Sequence, residues 1–200
     1  CREVLIATNG ATGDLVPWLR RRIIPVGSYM IATEPLPASL AAQFDARLRV
    51  CSTAFNLKNY FRLDQQRRLI FGGRAQLAAG AQAAEVALEL QRAMLAYFPQ
   101  LEDVRPTHVW GGALGFTFDG MPHLGRHDGM HYAMGYCFGA GMPFSTWLGN
   151  AIGRDILGQE ASTELDFATM PSNPLYWGRP WFLPLYLRFQ GWLDWKDGVR

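Results

Sequence analysis

The sequence predicts a chain of mixed α+β and α/β character, in which a block of antiparallel strands interrupts an α/β unit. Three observations carry this expectation. Residues 130–158, "MHYAMGYCFGAGMPFSTWLGNAIGRDILG", pass from an apolar strand through Gly139 and Gly141 into a helical stretch. The opening "CREVLIATNG" holds a buried-strand pattern, Val4 to Thr8, closed by Asn9-Gly10 and Thr12-Gly13 turn signals. Between these outer pieces lie three short strand patterns, Val50–Phe55, Asn59–Leu63 and Arg68–Gly73, with turn-like Asn56 to Lys58 and Asp64 to Arg67 between them.

The remaining elements follow in order. Pro17 to Arg22 is polar and arginine-rich. "IIPVGSYMIATEPL" reads as a long extended segment bracketed by Pro25 and Pro35, and Gln43 to Arg49 as a brief helix. "AAGAQAAEVALELQRAMLAYFPQL" contains the clearest helix, expected over 81–98, with Ala83, Val86, Ala87, Leu90, Met94 and Tyr97 on one stripe and Pro99 as its stop. A strand from Thr107 to Trp110 leads to Gly111-Gly112, and Asp119-Gly120 marks a further turn. Gly158 suits the end of the last helix. The tail "NPLYWGRPWFLPLYLRFQGWLDW" is aromatic, proline-broken and expected to be irregular.

Composition narrows the function. With 200 residues, 49% of them apolar and 13% aromatic, there is ample material for a core. A net charge of +2 gives no reason to expect nucleic acid as a partner. All the basic residues but Lys58 and Lys196 are arginines, which suits carboxylate or phosphate pairing and also follows from codon bias. Cys1, Cys51 and Cys137 form no CxxC pair, so neither a disulfide framework nor a zinc site is expected, and a reducing, cytoplasmic setting fits. No run approaches the roughly 20 apolar residues of a membrane span. The start lacks methionine and opens on a strand, which reads as a chain beginning mid-protein.

The glycine loop is the feature with chemical content. A Gly139-Ala140-Gly141 loop ahead of a helix gathers free backbone N–H groups and the positive dipole end at one spot. That arrangement suits a phosphate, or any group that becomes negative during a reaction. Such turns are more often purely structural. Pro143 fits the first helical turn, and Ser145 or Thr146 could cap it. His123, His127 and His131 match no metal spacing and read as surface or capped residues. Asp119 has no acidic neighbour, Glu85 and Glu89 lie on the helix, and no GxSxG, HExxH or P-loop occurs. Any catalysis is therefore expected to reside in a cofactor.

"VLIATNG", "RRIIPVGSYMIATEPL", "YFRLDQQRRLIFGGR", "WGGALGFTFDGMPHLG" and the glycine loop occur in an order that resembles the C-terminal half of FAD-dependent amine and amino-acid oxidoreductases of the D-amino-acid oxidase superfamily. The similarity lies nearest the gamma-glutamylputrescine oxidoreductase-like branch and covers nearly the whole chain. It implies an antiparallel-sheet substrate domain (23–112, with helix 81–98) inserted into an incomplete FAD-binding α/β domain (1–22 and 113–170), then an aromatic arm (171–200). It implies that Ala7, Thr8 and Gly10 lie against FAD. Thr117, Asp119, Gly120 and Pro122 mark the return to the cofactor domain, and Gly139, Ala140, Gly141 and Met142 aim main-chain amides at the flavin N1–C2=O edge. FAD is expected to be non-covalent, since Cys137 is not at an attachment position. The substrate is expected to be a small amine or amino-acid-like molecule oxidised by hydride transfer to flavin N5, with oxygen or a carrier as electron acceptor.

Departures from the family pattern sharpen this. The GxGxxG fingerprint is missing from these residues, so the polypeptide alone is expected to bind FAD poorly or not at all. Leu114 stands where some relatives use a carboxylate-binding arginine, and Pro143 where others use a lysine. Losing both clamps favours an amine or a longer substrate. Phe138 is one residue more than the usual loop carries, which leaves the register of flavin contacts open by one position. Tyr60 and Arg62 are candidates for the substrate face of the sheet, with structural pairing as the alternative. A second reading keeps the fold as a non-catalytic binding or assembly module, using the aromatic tail 174–195 as contact surface for a partner or a membrane.

Overall fold

The computed structural model describes residues 1–44, 49–73, 82–159 and 170–196. In chain order the regular elements are β1 (Leu5–Ile6), α1 (Pro17–Arg20), β2 (Ile24–Pro35), α2 (Ala38–Ala41), β3 (Cys51–Ser52), β4 (Asn59–Leu63), β5 (Arg68–Gly73), α3 (Ala83–Tyr97), β6 (Pro106–Phe116), β7 (His123–His127), β8 (Met130–Met134), α4 (Gly141–Ile156) and α5 (Leu183–Lys196). Two compact units result, Cys1–Val26 with Ala113–Pro180 and Gly27–Gly112 with Trp181–Arg200.

The first unit holds a three-stranded sheet of order β1-β8-β7. β1 runs parallel to β8, pairing Leu5 with His131 and Ile6 with Tyr132. β7 and β8 form an antiparallel hairpin whose turn uses Asp128 and Gly129, both at positive φ. That is the backbone sense which matches the twist of paired strands. Ile6, Val16, Leu19, Ile23, Tyr132, Met134 and Met170 form its core.

The second unit holds a five-stranded sheet of order β3-β4-β5-β2-β6, with β4 and β2 each antiparallel to β5. Its register shifts between Ala32 and Pro35. There the buried Thr33 hydroxyl accepts the Leu69 amide at 3.0 Å, supplying the acceptor that the broken ladder lacks. Of the expected stripe α3 buries Val86, Leu90 and Met94 against Ile31, Leu63, Leu69 and Phe71, with Ala87 and Tyr97 partly buried and Ala83 exposed. Each fully buried side chain contributes roughly 1.5–3 kcal/mol on burial.

Several expectations are corrected. The strand from Thr107 does not stop at Gly111-Gly112 but continues in β6 to Phe116, because paired extended backbone tolerates glycine at a modest entropic cost. The strand expected over Val50–Phe55 shrinks to Cys51–Ser52. A helix forms over Ala38–Ala41, ahead of Gln43 to Arg49; residues 45–48, like residue 81, lie outside the described residues. Pro17–Arg20, read only as polar, is a helical turn started by Pro17. The tail is not irregular throughout. Pro184 falls in the first turn of α5, where a missing N–H has no intrahelical partner to lose, so the helix runs on to Lys196. Asp194 on that helix is buried and accepts the Asn56 and Leu57 amides at 2.8 and 3.1 Å and the Asn56 side chain at 2.8 Å.

Candidate active site

The glycine loop leaves β8 after Met134 and enters α4 at Gly141. The i to i−4 pattern begins when the Phe144 amide donates to the Ala140 carbonyl at 3.1 Å. The amides of Gly141 and Met142 therefore precede the first intrahelical acceptor, and Pro143 has no N–H to offer. The first turn presents two main-chain donors at the positive end of a helix of 16 residues. Ser145 and Thr146 do not cap this end. Their hydroxyls donate backward to the Met142 carbonyl at 2.9 and 3.0 Å, which keeps the amides clear of side-chain acceptors.

Gly139 and Met142 are exposed, Ala140 and Gly141 partly so. Gly139 sits at φ +93, and a Cβ built on it meets nothing within 4 Å. At Gly139 the loop thus turns bare main chain toward open space, and among the described residues no side chain plugs it there. Phe138 lies aside from it, edge-on to Phe116 with ring centroids 4.6 Å apart. Burial, with the nearby Cys137 adding to it, raises the pKa of the Tyr136 hydroxyl at the loop's start.

Asn9 binds this loop to the turn after β1. Its side-chain oxygen accepts the Gly135 amide at 3.1 Å, and its side-chain nitrogen donates to Cys137 Sγ at 2.9 Å. Asn9 is buried at φ +46, a conformation asparagine tolerates better than most residues. Thr12 donates to the Asn9 carbonyl at 2.6 Å, and the Thr8 and Thr12 hydroxyls lie 2.9 Å apart. Gly10 follows because its backbone packs on β6: a Cβ there would collide with the Ala113 carbonyl and the Leu114 backbone. Ala7 and Thr8 are exposed beside it.

Of the residues singled out in the sequence, Thr8 and Gly10 stand on one side of the Asn9 linkage and Gly139, Ala140, Gly141 and Met142 on the other. Leu114 lies against Gly10, and Pro143 is exposed in the first turn of α4. Tyr60 and Arg62 belong to the other unit. On β4 they alternate with Phe61 and Leu63, which pack with the α3 core, so they share the opposite sheet face with Ile70 and Gly72. The Tyr60 hydroxyl hydrogen-bonds Ser28 Oγ at 2.7 Å, and Arg62 is exposed.

The turn at Thr117–Pro122 closes on itself. Thr117 donates to the Met121 carbonyl at 2.8 Å, and Asp119 accepts the Met121 amide at 3.2 Å and meets His123 Nε2 at 3.0 Å. Partial burial works to raise the Asp119 pKa, but the His123, Met121 and Thr117 hydrogen bonds outweigh it and leave the carboxyl below its ordinary value. Of the two expectations, surface or capped, His123 and His131 follow the second: both are buried and paired with carboxylates. His123 is buried on Asp119, and His131 lies between Glu3 (3.1 Å) and Asp155 (3.4 Å), where strand pairing turns its ring inward. Sequence reasoning missed Asn9, reading it only as half of an Asn-Gly turn. Nothing local to His131 announces Glu3 and Asp155, which are distant in sequence. Among the described residues no group of three His, Cys, Asp or Glu could hold a metal ion, and no helix is long and apolar enough to cross a membrane.

The exposed main chain at Gly139 and the first turn of α4 leaves hydrogen-bond donors open to a ligand with acceptor atoms. The chain is 31% identical over 185 residues to the probable oxidoreductase OrdL of Haemophilus influenzae, covering 89% of this chain and 41% of that protein. It is equally similar, 31% over 185 residues, to the gamma-glutamylputrescine oxidoreductase of Escherichia coli, covering 92% of this chain and 43% of the relative. The chain thus spans about two-fifths of the length of the curated relatives it matches. Among solved structures, glycine oxidase from Geobacillus kaustophilus shares the fold with a TM-score of 0.62 at 18% identity, over 86% of this chain and 45% of that one. Residues 1–154 match the family described as FAD dependent oxidoreductase, DAO, and to that family this chain belongs.

Proposed function

We propose that the chain contributes the flavin-edge and substrate-sheet portions of an enzyme that oxidises an amine or amino-acid-derived substrate. The observation that carries this is the unplugged loop: Gly139 open on its Cβ side, next to two helix-terminal amides, in a chain of an FAD-dependent family. Bound FAD supplies the hydride acceptor, N5, that no side chain here provides.

The chain's own residues do the rest. Ala7, Thr8 and Gly10 on one side, and Gly139, Ala140, Gly141 and Met142 on the other, would hold the cofactor without a covalent link. The Gly141 and Met142 amides would supply fixed donors to a cofactor that gains negative charge. Donors already in place would favour a charged group over a neutral one at that position. Asn9 keeps the two segments in register, so the donors need not reorganise as charge develops. Leu114 and Pro143 offer no cation, which supports an amine or extended substrate over a small α-amino acid. Tyr60 and Arg62 are the proposed substrate-facing positions of the sheet. The electron acceptor is oxygen or a carrier. The comparisons lend no support to the binding-module alternative.

The test is an FAD titration of the polypeptide that carries this chain in its natural context, followed by anaerobic addition of amines. The reading predicts a yellow protein that bleaches with an amine and regains colour with an acceptor. A protein that stays colourless with excess FAD, or binds FAD that no amine reduces, overturns it.

A further inference from the structure

A second concavity, in the first unit, lies apart from the glycine loop. It is a cleft of about 620 Å³, half open to solvent, between α1 and the segment 172–177, and Trp18, Arg21, Arg22, Ser172, Asn173 and Trp177 line it. Trp18 stacks on His127 with ring centroids 4.1 Å apart, at the turn end of the β7–β8 hairpin. The glycine loop leaves the opposite end of β8, so the two places are separated along that strand.

The lining is unusual in its pairing of cations with indoles. The Arg21 guanidinium stands 4.5 Å from the Trp177 ring centroid, and that of Arg22 stands 3.9 Å from Trp18. Arg22 also has a structural task, since its Nε donates to the Met170 carbonyl and its Nη1 to the Trp18 carbonyl, each at 3.0 Å. Those bonds use two of its five donors. Arg21 is exposed and, among the described residues, forms no ion pair with a carboxylate. Among the described residues no carboxylate pairs with either guanidinium, and burial, opposed by Tyr132 and aided by the neighbouring Arg21 charge, lowers the Arg22 pKa. An anion offsets those charges, and forked donors suit its oxygens. The volume exceeds what a bare oxyanion fills and falls within the range of small-molecule sites.

We infer that this concavity binds a small aryl-bearing anion, its carboxylate or phosphate on the remaining Arg21 and Arg22 donors and its flat body against the exposed indole of Trp177. The site is independent of the flavin reading, and its occupancy is measurable without FAD.

The experiment is calorimetric titration of the full polypeptide with phenyl phosphate, with inorganic phosphate and phenol as separate probes, while tryptophan fluorescence is followed. Saturable binding of phenyl phosphate is expected, tighter than inorganic phosphate and with phenol silent. Arg21→Gln should weaken it about tenfold, since hydrogen bonds to charged groups carry roughly that much. Trp177→Leu should remove most of the fluorescence response. Arg21 and Trp177 are exposed, so both variants are expected to fold, and Arg21→Lys, keeping the charge without the planar stack, should bind between the two. Absence of saturation, binding unchanged in Arg21→Gln, or equal affinity for phosphate and phenyl phosphate overturns the inference.

Discussion

Asn9 reaches from the turn after β1 to the start of the glycine loop, and its removal exposes how much that loop depends on one side chain. Asn9→Ala leaves the buried Gly135 amide without its acceptor at 3.1 Å. The expected loss is about 1–3 kcal/mol, read by urea denaturation. Gly139→Val acts differently. At φ +93 any side chain is strained, yet a Cβ meets nothing of this chain. We expect a stability loss of only about 1–2 kcal/mol without FAD, together with a far larger loss of FAD binding in the complete polypeptide. Equal FAD affinity in wild type and variant would place the flavin elsewhere. Asp119 supplies a pH prediction. Its folded pKa is lowered, so its contribution is present above the ordinary carboxylate value and is lost as pH falls below about 4. Asp119→Asn should flatten the acid limb of a stability–pH curve.

α5 is held by two buried residues, Leu187 and Asp194. Much of its outer surface stays exposed, at Leu185, Phe189 and Trp195 among others, whereas Asp194 is buried on three donors of residues 56 and 57. Asp194→Ala leaves those donors unpaired and should cost about 2–4 kcal/mol, read as a lowered denaturant midpoint with an early loss of near-ultraviolet tryptophan dichroism. α4 ends where the sequence expected. The Gly158 amide donates to Asp155 and the Gln159 amide to Arg154, at 3.0 and 2.9 Å, closing the last turn. Elements with a repeating signal were legible in this way: α3 through its stripe, β4 and β5 through their turn residues. β3, β6 and α5 were not, because local composition competes with pairing and packing that are distant in sequence.

At the scale of the chain, Tyr176 couples the segment after residue 170 to the entry of β2. Its hydroxyl donates to the Ile23 carbonyl at 2.8 Å. Burial pushes its pKa up to about 12, with Arg20 opposing the shift. A raised folded value favours the neutral phenol, so this stabilisation is complete below the ordinary value near ~10 and disappears as pH rises through about 12. It is on the order of 2 kcal/mol. Tyr176→Phe should therefore lose less stability than wild type across that alkaline window, measured as the urea midpoint against pH.

By itself the sequence determined the family, the alternation of its main elements and the presence of a glycine loop before the last helix of the first unit. Those features depend on periodicity and on residue types that act within a few positions of themselves. Only the tertiary structure decided that Asn9 holds that loop, that Ser145 and Thr146 turn away from the helix end, that His123 and His131 are buried among carboxylates, and that Arg21 and Arg22 share a cavity with two indoles. Ser145, Thr146 and His123 meet partners within four residues, whereas Asn9, His131 and Arg21 meet residues far apart in the chain. Such contacts depend on which backbone groups other strands leave free, and no local pattern records that.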